Sequence, residues 1–154
     1  MPYHIRPATL ADRATLVHHR VAMFTDMGLP IVGGAVAERF GRWLDEMMPA
    51  GTYHAWVVET ADGDVVGGGG LTLLPWPPGP HYVVDRIAFV YNVYTEQDHR
   101  RRGLARMVMD TIHTWCRETG ITSVVLNASE DGRPLYESMG YSVTTSPMMF
   151  RSLT

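Results

Sequence analysis

A single cysteine, Cys116, occurs in 154 residues, so neither an internal disulfide framework nor a dithiol redox pair can form. One free thiol suits a reducing, cytoplasmic compartment. No run of roughly 18 or more uncharged apolar residues exists, and the opening Met-Pro-Tyr-His-Ile-Arg-Pro lacks the apolar core of a signal peptide. No membrane partner is expected. Excess positive charge is missing too: 13 Lys and Arg face 16 Asp and Glu, a net charge of −3, which argues against nucleic acid as a partner although arginines crowd at 100–102. His18-His19 lacks the i, i+4 spacing of a helical metal pair. No zinc or other metal is expected.

What is present is 45% hydrophobic and 19% charged, the balance of a globular chain and enough for one domain spanning 1–154. No repeat, linker or low-complexity tract divides it. Residues 3–6 read as a strand, and Thr9-Leu10-Ala11-Asp12 as a helix-capping box. Leu10, Ala14, Val17, Val21 and Phe24 then recur at helical spacing and predict a buried stripe. A second helix is expected over 36–48, ending before Pro49 and Gly51. Strands over 53–60 and 65–74 flank the hairpin turn Ala61-Asp62-Gly63-Asp64. The Gly67-Gly68-Gly69-Gly70 run has no helix after it, so it reads as a bulge or close-packing site rather than a phosphate loop.

A further strand is expected over 87–95, a strongly amphipathic helix over 103–119, a strand over 121–127, a short helix over 133–139 and a last strand over 141–150. Both antiparallel and parallel pairings are needed. The fold class expected is α/β, with one central mixed sheet flanked by helices on both faces.

Between the strand ending near Thr95 and the main helix stands Arg100-Arg101-Arg102-Gly103-Leu104-Ala105. The free amides of a helix start carry partial positive charge and suit a pyrophosphate. Gly103 admits close approach of the backbone, and arginines add rigid donors. The plainer alternative is three arginines solvating a helix start, although cations there oppose the helix dipole. Neither Gly-x-Gly-x-x-Gly nor Gly-Lys-Ser/Thr is found in the turn.

The pattern Arg-x-x-Gly-x-Ala resembles motif A of the GNAT superfamily of N-acetyltransferases, and Leu135-Tyr136-Glu137-Ser138-Met139-Gly140-Tyr141 resembles the end of that family's motif B. The resemblance implies that Arg100, Arg101, Arg102, Gly103, Leu104 and Ala105 hold the CoA pyrophosphate. It also implies that the main chain of Val93 and Thr95 pairs with pantetheine, and that an amide near Val93 or Tyr94 polarises the thioester carbonyl. Tyr136 is then the acid that protonates departing thiolate, a role a phenol with pKa near ~10 can fill; the alternative is a packed ring with its hydroxyl tied to backbone. Upstream, Ser129 and Gly132 stand where the fuller motif has asparagine and alanine. Ser129 is counted among the cofactor contacts, or it simply caps the short helix.

Asn92, polar in an apolar run, is expected to face the acceptor, or else to be satisfied by a neighbouring strand. No base stands out; Asp85, Asp26 and Glu38 are the candidates. The family resemblance places the acceptor between 24–34 and 74–81, where Phe24, Met27, Leu29, Ile31 and Trp76 suit a partly apolar amine or a homodimer contact. The function implied is acetyl transfer from acetyl-CoA, with CoA as product, to a small-molecule or peptide amine in a ternary complex. The competing reading is a catalytically silent CoA-binding module. Cys116 lies on the buried stripe of the main helix, so an acyl-cysteine route is disfavoured.

Overall fold

The computed structural model describes residues 2–31, 33–80 and 83–154. Strand β1 (Tyr3–Pro7) leads into a helical turn closed by the expected capping box. The Thr9 hydroxyl accepts from the Ala11 amide at 3.2 Å, and the Asp12 carboxylate accepts from the Thr9 amide at 2.9 Å. That carboxylate also takes the Arg6 guanidinium at two points, 2.8 and 2.9 Å, which holds Asp12 below the usual carboxylate range.

Helix α1 (Arg13–Asp26) follows, and its inner face differs from the one the apolar spacing predicts. Leu16 and His19 are buried, while Leu10 and Ala14 are exposed. Helix α2 (Ala35–Met47) packs beside it.

Strands β2 (Tyr53–Thr60) and β3 (Val65–Pro75) form the expected hairpin, with Gly63 at φ 87° in the turn. Strand β4 (Arg86–Thr95), helix α3 (Leu104–Thr119), strand β5 (Val124–Leu126) and helix α4 (Arg133–Ser138) complete the order. The sheet runs β1-β2-β3-β4-β5, antiparallel throughout except for the parallel β4–β5 pair. This is the mixed sheet expected.

Alternation along β2 divides the core between the two faces. Trp56 and Val58 join Leu104, Val108, Met109, Ile112 and Cys116 of α3; Tyr53, Ala55 and Val57 join Leu16, Phe40 and Leu44 of α1 and α2. In that core, burial pushes the Cys116 thiol up to about 11, which leaves it a poor nucleophile.

The last expected strand does not form. Residues 141–150 contain no strand, and Val143, Met148, Met149 and Phe150 are 68% to 92% exposed. Val143, Thr144 and Thr145 favour extended backbone, but strand propensity reflects packing on a neighbour, and no strand pairs with this stretch among the described residues. The strand expected over 121–127 is likewise reduced to the three residues that pair with β4.

Candidate active site

The site begins with the glycine run of β3. A β-carbon on Gly68 would meet the Trp56 carbonyl oxygen at 2.5 Å, one on Gly69 would meet Val108 at 2.8 Å, and one on Gly70 would collide with the Tyr53 hydroxyl. Bare backbone is required here, as the close-packing reading expects. Opposite this run the register breaks: Gly70 pairs with Tyr91 and Gly68 with Tyr94, so two residues of β4, Asn92 and Val93, face Gly69. Asn92 absorbs the extra residue in the left-handed region at φ 61°, a conformation asparagine tolerates better than most side chains.

The bulge bends β4 just where β5 stops. Among the described residues only Ala88, Phe89 and Val90 pair with β5; of residues 91–95, Tyr91, Tyr94 and Thr95 pair with β3 and none pairs with β5. The open side carries Val93, Tyr94 and Thr95, the segment expected to meet pantetheine. Thr95 has its carbonyl already engaged by Arg100 Nε at 2.8 Å.

The chain then turns through residues 96–103 into α3. Six consecutive amides, 101–106, have no acceptor among the described residues; the next, Met107, donates to the Gly103 carbonyl at 3.0 Å. They include the four donors any helix start leaves free. Gly103 caps the helix at φ 80°. The three arginines diverge. Arg100 donates to Asp26 at 2.6 Å and lies over Tyr94, and Arg102 donates to the Tyr3 hydroxyl at 3.1 Å. Arg101, at φ 63° and exposed, is the one guanidinium of the turn with no partner among the described residues. Leu104 is buried in the core, so only its backbone faces the turn, and Ala105 is half-buried behind it.

Tyr136 lies on α4, its ring half-buried against the α3-side core and edge-on to Tyr141 at 5.9 Å. Its hydroxyl has no hydrogen-bond partner among the described residues, and burial raises its pKa, so the proton is retained at neutral pH. The departures upstream have a physical cause. A β-carbon on Gly132 would sit 3.0 Å from the Tyr136 ring, and the Ser129 hydroxyl accepts from the Gly132 amide at 3.1 Å. Ser129 thus braces the start of α4.

A cavity of about 680 Å³ opens between α1, α2 and β4, lined by Arg20, Arg39, Phe40, Trp43, Tyr91 and Asn92, with Ala35 and Val36 at the start of α2. Asn92 is 8% exposed and fully engaged: Arg20 donates to its Oδ1 at 2.6 Å, and its Nδ2 donates to Tyr53 at 2.8 Å. Asn92 is thus satisfied by a helix residue and by a strand two places away rather than by its neighbouring strand, and it also lines the cavity. Burial pushes Tyr53 up to about 12 and lowers Arg20.

Of the expected bases, Asp26 is paired with Arg100 and Glu38 with Arg42, while Asp85 is exposed. None lines the cavity. Sequence spacing missed Arg20, Arg39 and Trp43; the clue available was an arginine following a buried histidine on α1. Val32 and His81, inside the expected acceptor segments, lie outside the described residues.

The fold has counterparts among known proteins. The Acetyltransferase (GNAT) family profile matches residues 31–141, and the chain belongs to that family of acyltransferases. A GCN5-related N-acetyltransferase from Ralstonia eutropha JMP134 is 33% identical, with 97% of this chain and 98% of that one covered at a TM-score of 0.90. A predicted acetyltransferase from Clostridium acetobutylicum, crystallised with acetyl-CoA, is 23% identical over 97% of this chain and 96% of its own, with a TM-score of 0.88. The ribosomal-protein-alanine N-acetyltransferase of Brucella melitensis shares the fold at 23% identity and a TM-score of 0.74, with 97% of this chain and 99% of that one covered. No curated protein matches the chain. Among the described residues, no helix is long and apolar enough to cross a membrane.

Proposed function

We propose that this protein transfers acetyl from acetyl-CoA to a primary amine by direct attack in a ternary complex. The observation that carries this reading is the succession of two features along the chain: a stretch at 91–95 that β5 leaves uncovered, and, after one helical turn, six amides at 101–106 free of acceptors among the described residues. The first suits the amides of pantetheine, the second a pyrophosphate.

Acetyl-CoA supplies the activated thioester. The free amides and Arg101 hold its phosphates, and an amide near Val93 or Tyr94 polarises the carbonyl, a donation worth about 3 kcal/mol to the developing oxyanion. As the C–N bond forms and the C–S bond breaks, the attacking nitrogen gives up its surplus proton to solvent, while Tyr136 gives its proton to sulfur and regains one from solvent. The amine must arrive deprotonated. With Arg20 and Arg39 beside the cavity and no carboxylate lining it among the described residues, the local field disfavours an ammonium and favours the free amine. A buried single thiol fits a cytoplasmic setting, and exposed Met27 and Leu29 fit a homodimer contact.

Thiol release from acetyl-CoA over a panel of amines tests the reading. Amine-dependent release is expected. Tight CoA binding with no release from any amine favours instead a silent CoA-binding module, for which the lack of a carboxylate at the cavity is the supporting observation.

A further inference from the structure

We infer that the cavity between α1, α2 and β4 selects acceptors that carry a carboxylate beside the amine, namely α-amino acids with an apolar side chain. This inference rests on the acyl-acceptor role just proposed for the same cavity.

Its centre is Arg20. Arg6, Arg13, Arg42, Arg100 and Arg133 each pair with a carboxylate. Arg20 has no carboxylate partner among the described residues: it is half-buried, and among those residues its hydrogen bond goes to the neutral amide of Asn92. The rings of Phe24 and Phe40 lie 4.8 and 5.0 Å from its guanidinium carbon, and the neutral phenols Tyr53 and Tyr91 are also near it. A guanidinium withdrawn from water without a counter-ion is destabilising until an anion meets it. Only Nη1 is occupied, so the rest of the planar fork remains for two-point binding of a carboxylate. Arg39 lines the same cavity, exposed and without a partner among the described residues. Among the described residues no acid lines the cavity to compete.

Arg20 is bound to the side chain of Asn92, and Asn92 directly precedes Val93, where the thioester is proposed to lie. The anion site and the proposed reacting carbonyl thus share the bulged stretch of β4, which suits an acceptor that carries carboxylate and amine on one carbon, as an α-amino acid does. Phe40, Trp43 and Val36 form the apolar wall for its side chain.

Calorimetric titration of CoA-loaded protein with L-leucine and L-phenylalanine, each against its decarboxylated counterpart, isoamylamine or phenethylamine, tests this directly. The amino acids are expected to bind at least about tenfold more tightly. Arg20→Gln should erase that preference, and Arg39→Gln, at an exposed position that leaves folding intact, should reduce it. Equal binding of acid and amine overturns the inference, as does binding of neither by folded, CoA-competent protein, or a preference that survives both substitutions. Thiol release measured alongside separates the two readings. Selective binding without release removes the transferase and leaves the ligand class, whereas release with kcat/KM indifferent to the carboxylate does the reverse.

Discussion

Tyr53 and Asn92 hydrogen-bond at 2.8 Å although β3 lies between their strands. The contact passes over Gly70, where a β-carbon would collide with the Tyr53 hydroxyl and sit 2.9 Å from the His54 carbonyl oxygen. The glycine run and the asparagine at the bulge are therefore parts of one device. Gly70→Ala should destabilise the fold by about 1–3 kcal/mol through overpacking and raise the KM for the acceptor as Asn92 and Arg20 shift. Urea denaturation and steady-state kinetics give the two readouts; an unchanged midpoint would show that Tyr53 moves freely.

Tyr136→Phe removes a hydroxyl with no protein partner. Stability should stay within about 0.5 kcal/mol, and CoA affinity should hold. Turnover at saturating substrates should fall about 100-fold. Because burial raises this phenol's pKa, wild-type activity should persist to a pH above the ordinary tyrosine value of about 10. Full turnover in the variant would assign the proton to another donor.

Arg101 combines a left-handed backbone with the turn's unpaired guanidinium. Arg101→Gly should relieve strain and raise stability by about 1 kcal/mol, while the loss of charge weakens CoA binding and its dependence on salt. Thermal melts and CoA titrations at two ionic strengths should therefore move in opposite directions. Tighter CoA binding by the variant would exclude Arg101 from the phosphate site.

His19 is 2% exposed, its Nε2 has no partner, and burial lowers its pKa from 6.5 to about 4. The folded state thus refuses a proton that the unfolded chain accepts, so this contribution is whole above pH 6.5 and is lost as pH falls toward about 4. The loss amounts to roughly 3 kcal/mol. His19→Leu should flatten the fall in stability across that window. Denaturant midpoints at intervals between neutral pH and pH 4 would reveal an unchanged slope if the histidine is not responsible.

The elements with dense local signals were legible beforehand. Gly103 and Gly120 bracket α3, and the capping box at Thr9 closes as read. The face of α1 was misread because one inward position carries His19, which an apolar pattern passes over. The strand over 141–150 failed for a different reason: residue preference supplies no partner strand. Short motifs singled out the turn and Tyr136, which the structure places at the start of α3 and on α4. The cavity could not be read in this way, since Arg20, Phe40 and Asn92 come from three elements whose meeting depends on the bulge.

Unpaired strand edges usually invite other chains to add to them, with aggregation as the result. The open stretch of β4 lies within the sheet, closed at one end by β5 and at the other by the turn into α3. A foreign strand cannot run past either end in register. The same bulge that opens the edge to a slender, amide-bearing ligand therefore keeps it from acting as a seed for polymerisation.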